Sequence, residues 1–215
     1  MIDVIRELAG SVRDLRVVRC GLVHALEPAC IEGESVACWD LGWGVLRVGR
    51  HAKLEDVLVV TIPPGKPPVE WYVDLPGRMA QAGLRRIELL APAWWIGEEA
   101  APSTAWVVDH IACHLPSPLT GSEAARHGKA FLSMRRAYDV SHVAASLCLD
   151  DAELREMPVA VVWHTGGGGE PGQEEVRRAR SAGCAVVSAN VAPWAVGARA
   201  AGCEFAACVR ISELQ

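Results

Sequence analysis

The stretch PVAVVWHTGGGGEPGQEEVRRARSAGCAVVSAN, residues 158–190, decides the fold class of this chain. An apolar run of strand length, 158–164, leads into four glycines, and a charged segment, 172–182, separates it from a second apolar run, 184–190. The charged segment has a proline at its start and a glycine after its end, and its glutamates precede its arginines, as the helix dipole favours. The stretch therefore predicts a strand, a helix and a second strand in succession.

The same alternation continues with a predicted helix at 193–201 and a predicted strand at 203–211. A βαβαβ succession predicts three neighbouring parallel strands, joined by right-handed crossovers and covered by both helices. Further strands are predicted at 15–23, 44–49, 56–62, 85–92 and 104–111, and further helices at 71–82 and 133–148. Since the front half has strands with little helix between them, we predict an α/β fold with a mixed central β-sheet flanked by helices, in a single domain over 1–215.

Composition excludes several classes of function. The hydrophobic content of 51% is enough for a sizeable core, and a formal charge of −5 gives no basic surface for nucleic acid or an anionic membrane. The eight cysteines form no C-x-x-C pair and lie mostly among small apolar residues, which is typical of reduced, buried thiols. Segment 1–20 carries charges throughout, so we expect neither a signal peptide nor a membrane anchor, and a cytoplasmic location.

Local motifs leave the chemistry open. HTGGGGEPG, 164–172, has the amides to cradle an anion before a helix, or it is only a flexible connection, since it matches neither common phosphate-loop pattern. HIACH, 110–114, spaces two histidines like a zinc motif but lacks the glutamate, so we predict no metal site and no cofactor. Trp94 and Trp95 directly follow a predicted strand, where they either wall a base-sized pocket or fill it.

Three segments carry a family resemblance: VVDHIACHLPSPLTG (107–121), AFLSMRRAYD (130–139) and GCAVVSANVAPWAVGARAAGCEFAACVRIS (183–212). In order and spacing they resemble the trimeric purine nucleoside phosphorylase and methylthioadenosine phosphorylase family, well over 83–215 and poorly before that. The resemblance implies a phosphorylase/hydrolase-like fold with a partly rolled sheet. It also implies a trimer or a hexamer of trimers, in which Phe131 reaches the active site of a neighbouring subunit.

Site residues follow from the resemblance position by position. The family's sugar- and phosphate-contacting Met-Ser pair falls on Ala189 and Asn190, and its purine-binding Phe-Glu-Thr turn begins at Glu170. The residue that bonds the purine edge falls on Glu213, and a small Ala-Gly-Gly segment that leaves room for the substrate falls on 93–95, which includes Trp94.

The front half lacks the family's glycine-rich phosphate loop, and the phosphate ligands it suggests are Arg50 and His51. Two hypotheses remain. In one, the chain is a divergent member with degraded phosphate and base sites and weak or no standard phosphorolysis on its own, acting as a nucleoside-binding module or as a subunit beside a phosphorylase paralogue. In the other, it is an active nucleoside phosphorylase or nucleosidase with rearranged site residues, using phosphate as co-substrate.

Overall fold

The computed structural model describes residues 19–24, 37–40, 45–50, 57–62, 67–112, 132–139, 157–166 and 169–214. The strands are β1 Arg19–His24, β2 Ala37–Asp40, β3 Val45–Arg50, β4 Val57–Ile62, β5 Arg86–Trp95, β6 Thr104–Ile111, β7 Val159–His164, β8 Val186–Ser188 and β9 Glu204–Ser212. The helices in these residues are α1 Trp71–Gln81, α2 Gln173–Ser181 and α3 Val191–Ala201. No helix in the described part of the chain is long and apolar enough to span a membrane.

All nine strands belong to one mixed sheet in the order β2-β3-β4-β1-β5-β8-β7-β6-β9. β9 also pairs with β5, in parallel, from Arg86 opposite Glu204 to Trp94 opposite Ser212. This pairing joins β5, β8, β7, β6 and β9 into a closed barrel, and β1 to β4 extend from it as an open sheet. The predicted mixed α/β sheet is confirmed, and full closure goes beyond the partial rolling that was expected.

The predicted arrangement of the last three strands is wrong in one respect. β7 and β8 are parallel neighbours, but β9 lies beyond β6 and runs antiparallel to it. The long β5–β9 pairing fixes this position, because nine register pairs hold β9 against β5. Closure of the barrel thus overrides the simple parallel order that the alternation of strands and helices suggests.

One face of β5 packs into the main core. Ala91, Ala93 and the partly buried Trp95 belong to the main core, which also contains the buried faces of α1 and α3. A smaller core packs α2 against β7 and β8. α1 and α3 approach closely, because a Cβ on Gly197 would lie 1.7 Å from the carbonyl oxygen of Tyr72.

Helix prediction succeeded where end signals were clear. The helices predicted at 71–82, 172–182 and 193–201 are present within two residues at each end, and Gly183 after α2 has the left-handed φ of 81° that favours glycine. The helix predicted from 133 is wrong over 133–139, which forms a turn, and its remainder lies outside the described residues. β2 was not predicted at all.

Candidate functional site

One edge of β5 changes partner part-way along the strand. β1 pairs with this edge as far as Val23 opposite Leu90, and β8 pairs with it from Val187 opposite Trp94. β1 is parallel to β5 and β8 is antiparallel to it, so their carboxyl ends approach each other beside residues 91–93. We call this gap between the two strand ends the crevice.

Two further strands end beside the crevice. Ile62, the last residue of β4, pairs with His24 at the end of β1, and His164, the last residue of β7, pairs with Ser188 at the end of β8. Sheets of this kind bind ligands beyond the carboxyl ends of their strands, where the strand order changes. The topology therefore makes the crevice the candidate site.

Ser188 connects the two sides of the crevice. Its side chain is fully buried, and its hydroxyl donates a hydrogen bond to the carbonyl oxygen of Pro92 at 2.9 Å. The amide of Asn190 donates to the same hydroxyl at 3.3 Å, and Asn190 is the residue that precedes the first turn of α3. Because a helix N-terminus carries partial positive charge, this corner of the crevice suits an anionic or hydroxyl-rich ligand.

Polar side chains continue along the end of β7. His164 and Thr165 are 6% and 4% exposed, and the Thr165 amide donates to the carbonyl oxygen of Ser188 at 3.3 Å. Our sequence analysis singled out none of Ser188, His164 or Thr165 as a site residue. In the sequence, each of the runs VVWHT and VVSAN changes from apolar to polar residues at its end. This change occurs at ordinary strand ends as well as at binding sites, so it does not identify a site.

The carboxyl end of β5 forms a second region. Trp94 lies opposite Val187 of β8 and Ser212 of β9, and Glu213 follows Ser212 directly. Val187 belongs to the core beneath α2, and directly opposed residues of a strand pair project to the same face, so Trp94 faces the α2 side. Glu213 is exposed.

A cavity of about 420 Å³ adjoins this region. It lies between the start of α2 and the residues after β9, and its lining includes Glu170, Pro171, Gln173, Val176 and Leu214. Glu170 is exposed at its rim. The structure thus places Glu170 and Trp94 on the side that carries α2, and Glu213 directly after the carboxyl end of β9.

Trp95 takes the opposite face from Trp94. It lies opposite Val186, which belongs to the main core, and it packs against that core itself. Its indole N–H donates to the carbonyl oxygen of Glu99 at 2.8 Å, and a Cβ on Gly97 would lie 2.5 Å from its ring. The indole is therefore held tightly by the turn that follows β5.

The predicted phosphate ligand Arg50 lies away from these regions. Arg50 pairs with Leu58, which is level with Cys20 of β1 and Ile87 of β5, at the amino ends of those strands. At about 3.3 Å per residue along a strand and about 4.8 Å between strands, its backbone is about 20 Å from the crevice. The structure does not bring Arg50 to Asn190, whereas Ala189 and Asn190 are at the crevice.

Two other predicted site residues, His51 and Phe131, lie outside the described residues, as do all of residues 113–131. The residues that carried the resemblance on either side of this segment do meet. The Tyr138 hydroxyl lies 2.7 Å from Nδ1 of His110, with the two rings edge to face. Burial lowers the pKa of His110, although the negative charge of Asp109 acts to raise it. Burial raises the pKa of Tyr138, and Asp109 raises it further. Both shifts fit a neutral imidazole that accepts a hydrogen bond from the neutral tyrosine hydroxyl.

Asp139, next in sequence, joins a cluster of charged groups at the amino end of β5. The Arg86 guanidinium contacts Glu88 at 2.6 Å, Asp139 at 2.7 Å and Glu204 at 3.3 Å. Arg86 and Glu88 are 6% and 1% exposed. Within the residues that the structure describes, no three His, Cys, Asp or Glu side chains are placed to hold a metal ion.

Solved structures with the same fold include purine nucleoside phosphorylases. The Schistosoma mansoni enzyme in complex with BCX-34 matches all of this chain and 88% of its own, with a TM-score of 0.75 at 16% identity. Its complex with inosine gives 0.74 at 16% identity over 84% of its chain, and its complex with adenosine gives 0.71 at 19% identity over 85%. This chain has the purine nucleoside phosphorylase fold.

No protein-family model and no curated protein sequence matches the chain. The likeness therefore lies in the three-dimensional arrangement and not in overall sequence. Within the purine nucleoside phosphorylase fold, the crevice is built by strands from both halves of the chain, including the front half in which the sequence resemblance was poor.

Proposed function

We propose that this chain is a divergent nucleoside phosphorylase-like protein of purine nucleoside or methylthioadenosine metabolism. Its ligand site is the crevice together with the carboxyl end of β5, and its standard phosphorolysis is weak or absent when the chain acts alone. The observation that carries the proposal is the meeting of strand ends at a helix N-terminus, within a fold that matches phosphorylases over 100% of this chain.

The crevice supplies groups suited to the sugar and anion side of such a ligand. Ser188 and Asn190 offer a hydroxyl and backbone amides at the start of α3, and His164 ends the neighbouring strand. Phosphorolysis requires an anion positioned beneath the sugar while positive charge develops on it. Donors that are fixed before the ligand arrives serve this purpose best, and Ser188 holds the start of α3 in place by accepting a hydrogen bond from the Asn190 amide.

Two observations support weak activity. Arg50 is separated from the crevice by about 20 Å, estimated from strand spacings, so the front-half cation that the sequence suggested does not reach the anion. At the other end, the segment that leaves room for the substrate in the family carries two tryptophans, and Trp95 lies on the same face of β5 as α3. The phosphate thus lacks the Arg50 cation and the departing base has less space, whereas efficient phosphorolysis needs both.

The test is phosphate-dependent release of base from adenosine, inosine, guanosine and methylthioadenosine by the wild-type chain. We expect turnover close to that of a blank lacking protein. Rapid release from any of the four substrates, lost in Asn190→Ala, would show that the chain is an active enzyme and overturn the proposal.

An active enzyme with rearranged site residues is the second candidate. Glu170 and Glu213 favour it, because both carboxylates lie beside the carboxyl ends of β5 and β9, where either could bond a purine edge. Glu213→Gln and Glu170→Gln form a matched pair for this candidate. Loss of turnover in one variant only would identify the base ligand, and turnover without phosphate would identify hydrolysis in place of phosphorolysis.

The assembly belongs to the same proposal. We propose a trimer or a hexamer, formed by this chain alone or with a phosphorylase paralogue, in which Phe131 contributes to a neighbour's site, and a cytoplasmic location. Light scattering at micromolar concentration tests the assembly. A monomer that is unchanged by the addition of a paralogue would contradict it.

A further inference from the structure

The two tryptophans at the end of β5 differ in what holds them. Trp95 donates to the carbonyl oxygen of Glu99 at 2.8 Å, lies against Gly97 and packs on the main core. Ile96 fixes the same turn from both sides, since its amide donates to the carbonyl oxygen of Ala185 at 3.0 Å and its carbonyl oxygen accepts from the Arg180 side chain. The Trp95 indole is therefore held in one place by its own turn.

The face on which Trp95 lies is also the face of α3. Ala91, Ala93 and Trp95 share the main core with Val191 and Trp194 of that helix. Ser188 anchors the start of α3 to Pro92, so the helix N-terminus is beside the middle of β5. A ligand that places its sugar at the start of α3 and extends along this face of β5 reaches Trp95, about 10 Å from Pro92 at about 3.3 Å per residue.

Indole and purine are both flat, fused bicyclic rings of nearly the same size. An indole held on this face takes up the room of one base and provides only one hydrogen-bond donor, which is already used by Glu99. Trp94 lies on the opposite face, opposed to Val187, and does not obstruct the same volume.

We propose that Trp95 is the residue that excludes a purine base from this chain, by filling the base position with its own side chain. The inference rests on the proposed function, because it assumes that a nucleoside-like ligand lies along this face of β5. Removal of the indole then leaves a cavity with the shape of the ligand, and cavities created in this way in well-packed proteins take up ring compounds of matching size.

The experiment compares Trp95→Gly with Trp94→Gly, which removes the same indole from the opposite face. Calorimetric titration with hypoxanthine and with adenine gives the affinity of each variant and of the wild-type chain. We expect Trp95→Gly to bind a purine at least about tenfold more tightly than the wild type, while Trp94→Gly does not gain affinity. Cytosine, a smaller ring, serves as the ligand control.

Gly97→Ala is a second route to the same result. Its Cβ would lie 2.5 Å from the Trp95 ring, so the indole must shift, while every other core residue is kept. If Trp95→Gly does not fold, Gly97→Ala decides the question, and a gain in purine affinity there supports the proposal. The proposal is overturned if folded Trp95→Gly shows no gain in purine affinity or, where that variant does not fold, if folded Gly97→Ala shows none. An equal gain in Trp94→Gly also overturns it.

Failure of this inference is distinguishable from failure of the proposed function. Rapid base release by the wild-type chain contradicts the proposed weak activity whatever the variants do. Absence of base release with no gain in Trp95→Gly contradicts only the role of Trp95.

Discussion

At the amino end of β5, Arg86 is buried among carboxylates, whereas at the carboxyl end the strand runs between polar strand ends and two tryptophans. The Arg86 guanidinium at the first end is already paired with carboxylates of the protein itself, so it needs no ligand. The second end gathers buried hydroxyls and an imidazole at a helix N-terminus, beside a strand that changes partner. Buried charge here indicates structure, and converging strand ends indicate a site.

Arg86→Met tests the structural end and should have the largest effect. The substitution removes the guanidinium that neutralises Glu88, a carboxylate that is 1% exposed, and an uncompensated buried charge of this kind costs about 3–5 kcal/mol. Urea unfolding measures the loss. The double variant Arg86→Met/Glu88→Leu should recover most of it, and a single variant as stable as the wild type would contradict a structural role for the cluster.

Gly197→Ala tests how firmly α3, and with it the crevice, is seated. The new Cβ would lie 1.7 Å from the Tyr72 carbonyl oxygen, so α1 and α3 must separate, at a cost of about 3 kcal/mol. A matched control is Gly166→Ala, because a Cβ there meets nothing within 4 Å. Equal melting temperatures for the two variants would show that the close approach of the helices is unimportant.

Ser188→Ala tests the crevice beside the carboxyl end of β5. It removes a donor to Pro92 and an acceptor for Asn190 from a fully buried position, which should cost about 1–3 kcal/mol. Amide hydrogen exchange should also accelerate at Asn190, because its proton loses its acceptor. Ser181→Ala is the control, since that exposed hydroxyl bonds only a carbonyl of its own helix; unchanged exchange at Asn190 would argue against the bridge.

The smallest expected effect is a pH dependence at His110. Burial lowers the pKa of His110 in the folded chain, so below about pH 6.5 the unfolded chain binds more protons and stability falls as the pH falls. The His110→Gln variant should therefore lose less free energy of unfolding than the wild type as the pH falls. Parallel unfolding curves for the two proteins at pH 7.5 and pH 5.5 decide the matter; identical losses would mean that His110 does not contribute.

Sequence reasoning recovered the elements whose signals are local. α2 was located by a proline, the order of its charges and a glycine, all between Pro171 and Gly183, and that glycine has the positive φ expected after a helix. A helix was predicted from 133, whereas in the structure residues 133–139 form a turn in which Asp139 contacts Arg86 and its amide donates to the Phe205 carbonyl oxygen. Contacts with distant β5 and β9 override the local preference there.

The candidate site was predicted only in part for the same reason. Ala189 and Asn190 follow β8, Glu213 follows β9 and Glu170 precedes α2, so these positions of the resemblance lie at strand ends or before a helix. Arg50 was chosen from its neighbours in sequence, but the antiparallel direction of β3 carries it to the far side of the sheet. Strand direction depends on which strands pair, and no spacing within GRH contains that information.

The pairing of β5 with β9 has a consequence for how the protein is made. Arg86 and Glu204 are 118 residues apart, so the ring of strands cannot close until that whole intervening length has been synthesised and released. Contacts of such long sequence separation slow folding, because the entropy of a large loop is lost before the strand pairing can stabilise it. During synthesis, the two flanks of β5 are filled at different times: β1 precedes it and is available at once, whereas the other flank stays open to the solvent and to other chains until β9 emerges. Newly made chains of this protein should accordingly depend on chaperones until β9 has left the ribosome.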